Sequence, residues 1–420
     1  MKILFIVPGS GDSFYCGNCF RDNLQASALR KAGQDVIIMP LYLPMNYASL
    51  KSDTPLFFPA TTYYTAQTLF GKRKMPKWLA HLTASDRMLK IASSLSGTTS
   101  AKGLEKMTLS MITGDDPAFI DHVSQLVDWI KYHEKPDIIH LSSSLLIGIA
   151  KILSLQLRIP IVCSIQDEEV WIDSMKNVYS NLAWQGIAEN TVYIDQFITT
   201  SDFYKQKMMK KMPTLNNIDV VYPGVNREKY MTTDYPKNPV IGFFNHNNKE
   251  NGLDILSEAF FKLKAENRIP NLQLKIGGGY TNKDKRLLKK VRQIVAPFRE
   301  DVAIDDTYNP DEHAAFYRSI SVISVPLTFE ESVGLYLCEA FAAGRPAVEP
   351  ATGSFPEIVG EAGLIYHPQN SDALADALYQ LLSDNALYMK TVDHANELSE
   401  TRYNDKTLAE HLINVYEKVV

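Results

Sequence analysis

Short apolar runs alternate with amphipathic helical stretches along most of this sequence, and no other feature restricts its fold as strongly. Runs at Lys2–Val7, Asp35–Met39, Ile138–Leu141, Ile161–Ile165, Gln196–Thr200 and Asp219–Val221 read as strands, with helical patterns such as Asp22–Ala32 and Asp121–His133 between them. The second half repeats the scheme. Its strands fall at Val240–Phe244, Gln273–Ile276, Ser321–Val325, Pro346–Glu349 and Gly363–Ile365, and its helices at Leu253–Glu266, Asp284–Val295, Pro310–Ser319 and Ser371–Ser383. Strands joined through helices make βαβ units and parallel sheets. The expected class is therefore α/β: two doubly wound, Rossmann-like domains facing a cleft, with ligand at the carboxyl ends of the strands.

A length of 420 residues suits two or three domains. Residues 1–225 are expected to form the first domain and 226–239 a linker, following Tyr222-Pro-Gly-Val-Asn226. Residues 240–400 then form the second domain. Residues 401–420, helical in pattern over Leu408–Val420, pack back across the boundary. From Pro55 to Gly114 the alternation lapses, and an insertion near 55–114 accounts for it.

Composition excludes several classes. With 45% apolar and 22% charged residues, the chain has the make-up of an ordinary soluble globular protein. A net charge of −5 leaves no basic excess to neutralise phosphates, so no nucleic-acid partner is expected. Met1–Pro8 is too short for a secretion signal, and Ile138–Leu155 carries His140 and Lys151, so a cytoplasmic protein is expected. Lys72-Arg-Lys-Met-Pro-Lys77 beside Trp78 is either a solvated surface cluster or a peripheral contact with the inner face of a membrane. Six cations between Lys283 and Arg292 read as one exposed helix face. Four cysteines are too few for a disulfide scaffold, and Cys16-Gly-Asn-Cys19 reads as part of a ligand loop rather than a redox or metal motif. Neither Asp115-Asp116 nor Asp305-Asp306 falls at a strand end suited to a metal, so none is expected.

Chemistry concentrates between Ser324 and Pro346. Val322–Pro326 reads as a strand end, and Val333–Ala343 as a helix closed by Gly344, a favourable residue just past a helix end. Glu331 and Glu339 flank the start of that helix, separated by roughly 12 Å along the axis at ~1.5 Å per residue. Such a separation suits the two ends of an extended ligand and is too long for an acid–base dyad. The amides of Ser332, Val333 and Gly334, which open the helix, make a ready phosphate site. Two hydroxyl-binding carboxylates around an anion site describe a nucleotide-sugar pocket.

This block, with Ala340-Phe-Ala342-Ala-Gly344-Arg-Pro346 at its end, resembles the E-x7-E signature of family 4 of the retaining GT-B glycosyltransferases, the glycosyl transferases group 1. The resemblance runs along nearly the whole chain. Pro8-Gly-Ser-Gly11 and Tyr15-Cys-Gly17-Asn18 look like the family's glycine-rich first loop, and Val221–Asn226 and Gly353–Val359 are similar to its later motifs. The resemblance implies metal-independent transfer of a hexose from a UDP or GDP sugar to a glycan, lipid or small-molecule acceptor, with no cofactor. It places Glu331 at the donor sugar and Glu339 at the ribose. Gly17, Asn18 and the 332–335 backbone (Ser332, Val333, Gly334, Leu335) would then surround the diphosphate.

Two departures from the family pattern matter. Asn245-His-Asn-Asn-Lys-Glu-Asn-Gly252 puts His246 and Asn251 where the family carries arginine and lysine on the diphosphate, with Lys249 two positions from Asn251. Losing one such preorganised donor typically lowers rate by about 10²–10³. A catalytically weak GT-B nucleotide-binding or scaffold protein is therefore the alternative, and an epimerase or phosphorylase on the same fold is a third. Gln166 stands where the family commonly has a histidine near the donor sugar; it can hydrogen-bond a hydroxyl but exchanges no proton, so the leaving phosphate would take the acceptor proton. Asp167, Glu168 and Glu169 either face the acceptor or form a solvated loop.

Overall fold

The computed structural model describes residues 1–9, 15, 17–42, 103–305 and 307–420, with backbone alone for Asn18, Cys19, Pro117, Ala118 and Pro310. Among these residues the chain builds two parallel six-stranded sheets. The first comprises β1 (Lys2–Val7), β2 (Asp35–Pro40), β3 (Ile138–Leu141), β4 (Ile161–Ile165), β5 (Gln196–Thr199) and β6 (Ile218–Val220), in the order β2-β1-β3-β4-β5-β6. The second comprises β7 (Val240–Phe244), β8 (Gln273–Gly277), β9 (Val302–Ile304), β10 (Val322–Ile323), β11 (Ala347–Pro350) and β12 (Gly363–Tyr366), in the order β12-β11-β10-β7-β8-β9. Strand order reverses between β1 and β3 and between β7 and β10. Such switch points open a crevice at the strand ends, where open α/β sheets take their ligands.

The helices that bear on the site are α1 (Gly17–Lys31), α2 (Glu168–Ile172), α3 (Asp202–Lys211), α4 (Leu253–Ala265), α5 (Lys285–Ile294), α6 (His313–Arg318), α7 (Leu335–Ala342), α8 (Phe355–Val359) and α9 (Asp405–Glu417). Helix α9 lies on the first sheet: Leu408, Leu412, Val415 and Tyr416 pack with Ile3, Phe5, Leu29 and Val36. Burying each such side chain stabilises by about 1.5–3 kcal/mol. The Tyr416 hydroxyl also meets His140 Nδ1 at 2.7 Å. On α5, Leu288 and Val291 turn inward while Lys285, Arg286 and Lys289 face solvent.

Three local differences from the sequence expectations have physical causes. Strand β9 is only three residues long, Val302–Ile304, at the half-buried edge of its sheet, and so short an apolar run does not announce a strand. Helix α7 starts at Leu335, not Val333, because Gly334 takes φ 69°, a left-handed conformation that favours glycine. Glu331 therefore lies in a loop, and helical rise does not set its distance from Glu339. Glu168 and Glu169 are no solvated loop: they open α2 and are 2% and 7% exposed. Most of the expected insertion, including Lys72–Lys77 and Trp78, lies outside the described residues, as do Cys16 and the Cys19 side chain.

Candidate functional site

A pocket of about 300 Å³ opens between the two sheets at their switch points. Tyr15, Gly17 and Asp167 line it from the first half, and Asn245, Glu331 and Gly334 from the second. Gly17 begins α1, and Asn18 follows in its first turn.

Glu331 sits over the turn that Gly334 creates. Its Oε1 accepts from the Gly334 amide at 3.4 Å, and the Val333 and Gly334 amides hold its carboxyl down against the upward push of burial, which prevails. The neighbouring Ser332 amide and hydroxyl donate to Asp167 at 3.0 and 2.8 Å, across the cleft. Burial, then the charge of Glu331, raise the Asp167 carboxyl well above the usual carboxylate range. Asp167 holds φ 51°, a strained backbone for a residue with a side chain. Two protein carboxylates thus occupy the amides that the sequence reading assigns to phosphate.

Glu339 is fully buried on α7. Its carboxylate accepts hydroxyls from Tyr15 at 3.0 Å, Tyr230 at 2.7 Å and Tyr317 at 2.8 Å, and His313 Nδ1 approaches to 3.0 Å. Tyr15 also donates its amide to the Gly278 carbonyl at 2.7 Å and packs its ring on Phe244 and His313. A carboxylate offers about four acceptor positions, so this network fills Glu339 before any ligand arrives.

The remaining candidates fall elsewhere. His246 Nε2 meets Asp284 Oδ2 at 2.8 Å. Asn251 donates to the His246 carbonyl at 2.8 Å and takes its own amide bond to Asn248, so its side chain ties the loop together. Lys249 is exposed, and Leu335 joins the pocket wall. Gln166 is 6% exposed at the end of β4; its backbone N–H donates to Glu168 Oε2 at 2.6 Å, while its Oε1 has no partner among the described residues. Glu168 further accepts from Ser144 N and Ser143 Oγ, both at 3.0 Å, yet burial raises its carboxyl to about 7. Among the described residues no group of three or more His, Cys, Asp or Glu is placed to hold a metal ion.

The two halves are tied beside the pocket. Ser201 donates its hydroxyl to the Ser332 carbonyl at 2.5 Å. Glu357, on α8, accepts the Asp202 and Phe203 amides at 2.9 and 2.8 Å, capping α3 from across the cleft, and also takes the Tyr222 hydroxyl at 2.7 Å. Sequence reasoning missed Tyr15, Tyr230, His313 and Tyr317 as partners of Glu339. Their positions span residues 15 to 317, and no spacing in the sequence links them.

Two facing doubly wound sheets with this cleft define the GT-B fold. The structure superposes on sucrose-phosphate synthase from Thermosynechococcus elongatus with a TM-score of 0.69 at 17% identity, over 100% of this chain and 99% of that one. Anabaena HepE in complex with UDP gives 0.68 at 15% identity, over the whole of both chains. Family models match twice: glycosyl transferases group 1 over residues 238–384, and glycosyltransferase family 4 over residues 111–229. The chain belongs to family 4 of the GT-B glycosyltransferases. Among curated relatives, D-inositol 3-phosphate glycosyltransferase of Corynebacterium aurimucosum is 29% identical over 214 residues, 44% of this chain and 48% of that protein. Phosphatidyl-myo-inositol mannosyltransferase of Mycobacterium leprae is 37% identical over 108 residues, 25% and 29% of the two chains. These matches span less than half of each relative's length.

Proposed function

We propose that this protein moves a hexose from a nucleoside-diphosphate sugar to an acceptor held by its first half, with retention at the anomeric carbon and without a metal ion. The observation that carries this is Glu331 seated on the Val333 and Gly334 amides, in a pocket at the switch points of both sheets. Donor phosphate oxygens would replace the carboxylates at those amides, which suit anions, and free Glu331 to orient the sugar. Glu339 would hold the ribose once its tyrosine network yields a position. UDP is the favoured nucleotide, since structures of HepE contain UDP and UDP-glucose.

In the reaction, the bond from C1 to the β-phosphate oxygen breaks as the acceptor oxygen bonds to C1 on the same face. The acceptor proton passes to the leaving phosphate, which asks no proton exchange of Gln166. Charge developing on the leaving group needs preorganised donors; the backbone amides at 332–334 and the exposed Lys249 are the groups at hand. Membership of a transferase family does not favour the weak-scaffold alternative raised by His246 and Asn251.

The test is transfer from a panel of UDP and GDP sugars to glycan, lipid-linked and small acceptors, with the product anomer read by NMR. Transfer with retention that Glu331→Ala abolishes is expected. A folded protein that binds UDP and transfers nothing would overturn the proposal.

A further inference from the structure

Among the described residues of the first half, one strongly basic side chain is buried without adequate partners. Arg21, in α1, is 2% exposed. Its Nη2 donates to Asp22 Oδ1 at 2.8 Å and to the Ser142 carbonyl at 2.9 Å, while Nε and Nη1 have no partner among the described residues. Orphaned buried donors are rare in native proteins, and a charged pair of them calls for an explanation. Asp22 matches the charge incompletely, because burial raises its carboxyl toward the neutral form.

Arg21 is not alone. Ser144 Oγ follows β3, Gln166 Oε1 follows β4, and Thr200 Oγ1 follows β5; each is buried and has no partner among the described residues. The register pairs Leu141 with Cys163 and Ile165 with Thr199, so these residues stand at the carboxyl ends of three adjacent strands. Arg21 joins the row through its bond to Ser142. Open α/β sheets take their ligands at these strand ends.

We infer that Arg21 binds an anionic group of the acceptor, and that the acceptor is a polyol bearing a carboxylate or phosphate. Ser144, Gln166 and Thr200 supply hydroxyl and amide groups that match the hydroxyls of such a molecule, and Arg21 takes the charge. This assignment rests on the transferase reading above and narrows its acceptor class. Arginine suits the role because its guanidinium stays charged when buried and carries donors in fixed directions.

The test is calorimetric titration of the full chain, with UDP present, using glucose 6-phosphate, glucuronate, inorganic phosphate and glucose as probes. At least one anionic sugar should bind at least tenfold more tightly than glucose, and comparison of the two anionic sugars separates phosphate from carboxylate. Arg21→Gln should abolish that preference while leaving UDP affinity within twofold, and Arg21→Lys should keep part of it. Equal binding of anionic and neutral sugars to the wild-type protein would overturn the inference, as would a preference that survives in Arg21→Gln. Should both variants fail to fold, amide hydrogen exchange of the wild-type protein decides: glucose 6-phosphate or glucuronate must protect residues 17–25, and absence of protection by both refutes the assignment. Binding of UDP without any anionic preference sinks this inference alone. Failure to bind either UDP or GDP sinks the transferase reading with it.

Discussion

Replacing Tyr15 with phenylalanine should tighten UDP binding, although the change deletes a hydrogen bond. Glu339 has about four acceptor positions, and Tyr15, Tyr230, Tyr317 and His313 fill them. Of the four, Tyr15 alone comes from the first half of the chain. A ribose hydroxyl can reach the carboxylate only by displacing one of them. A hydrogen bond to a charged group contributes about 1.5–3 kcal/mol, equivalent to ~10- to 150-fold in an equilibrium constant. The Tyr15 amide keeps its 2.7 Å bond to Gly278, and the ring keeps its contact with Phe244, so part of the barrier persists in the variant. The lower end, about tenfold tighter, is therefore expected. Calorimetry of wild-type and Tyr15→Phe proteins against UDP, without added metal, measures it. Unchanged affinity would mean that the nucleotide never competes with Tyr15. Weaker affinity would mean that the hydroxyl itself grips the nucleotide, and either result refutes the displacement argument.

Further outcomes follow from the same contacts. The Glu168 carboxyl titrates near 4.5 when unfolded and about 7 when folded, because burial outweighs its hydrogen bonds. The unfolded chain thus releases this proton first, and stability falls as pH rises from 4.5 to 7, by at most about 3 kcal/mol. Urea midpoints at pH 5 and pH 8 should differ less in Glu168→Gln than in the wild type, and parallel profiles would contradict this. Glu339→Ala strands three tyrosine hydroxyls and an imidazole in the interior; a loss of about 3 kcal/mol or more, together with loss of UDP binding, is expected from denaturation and calorimetry. Glu357→Ala removes the cap that the second half places on α3 and should destabilise by about 1–2 kcal/mol, with faster proteolysis between the halves; an unchanged urea midpoint would show the cap to be idle. Sugar transfer should survive excess EDTA, and restoration of lost activity by added Mg²⁺ or Mn²⁺ would reverse the metal-free proposal.

Much of the fold was legible because parallel strands buried on both faces must be near-continuous apolar runs. Ile161–Ile165 and Val240–Phe244 show such runs, and the structure gives both with the same limits. Where a strand is very short the signal fails, as at the three-residue β9. The site was legible to the extent that it is local. Glu331 and the amides at 332–335 lie within one loop and the first turn of a helix, and the glycine that bends the loop can be read directly. Asp167 on Ser332 spans 165 residues, and Tyr15 on Glu339 spans 324. No spacing rule reaches so far, and neither contact follows from the residue types alone.

The class of the fold, the family and the loop proposed to take an anion could all be read from the residues alone. Each depends on periodicity or on residues adjacent in the chain. What the candidate residues touch came from packing: His246 held by Asp284, Asn251 spent on its own loop, Glu339 filled by three tyrosines and a histidine, and Arg21 buried with two donors unmatched among the described residues. The physical reason is that a side chain's charge and hydrogen bonds depend on the groups the folded chain brings beside it. Sequence fixes those groups only through the packing of the whole molecule.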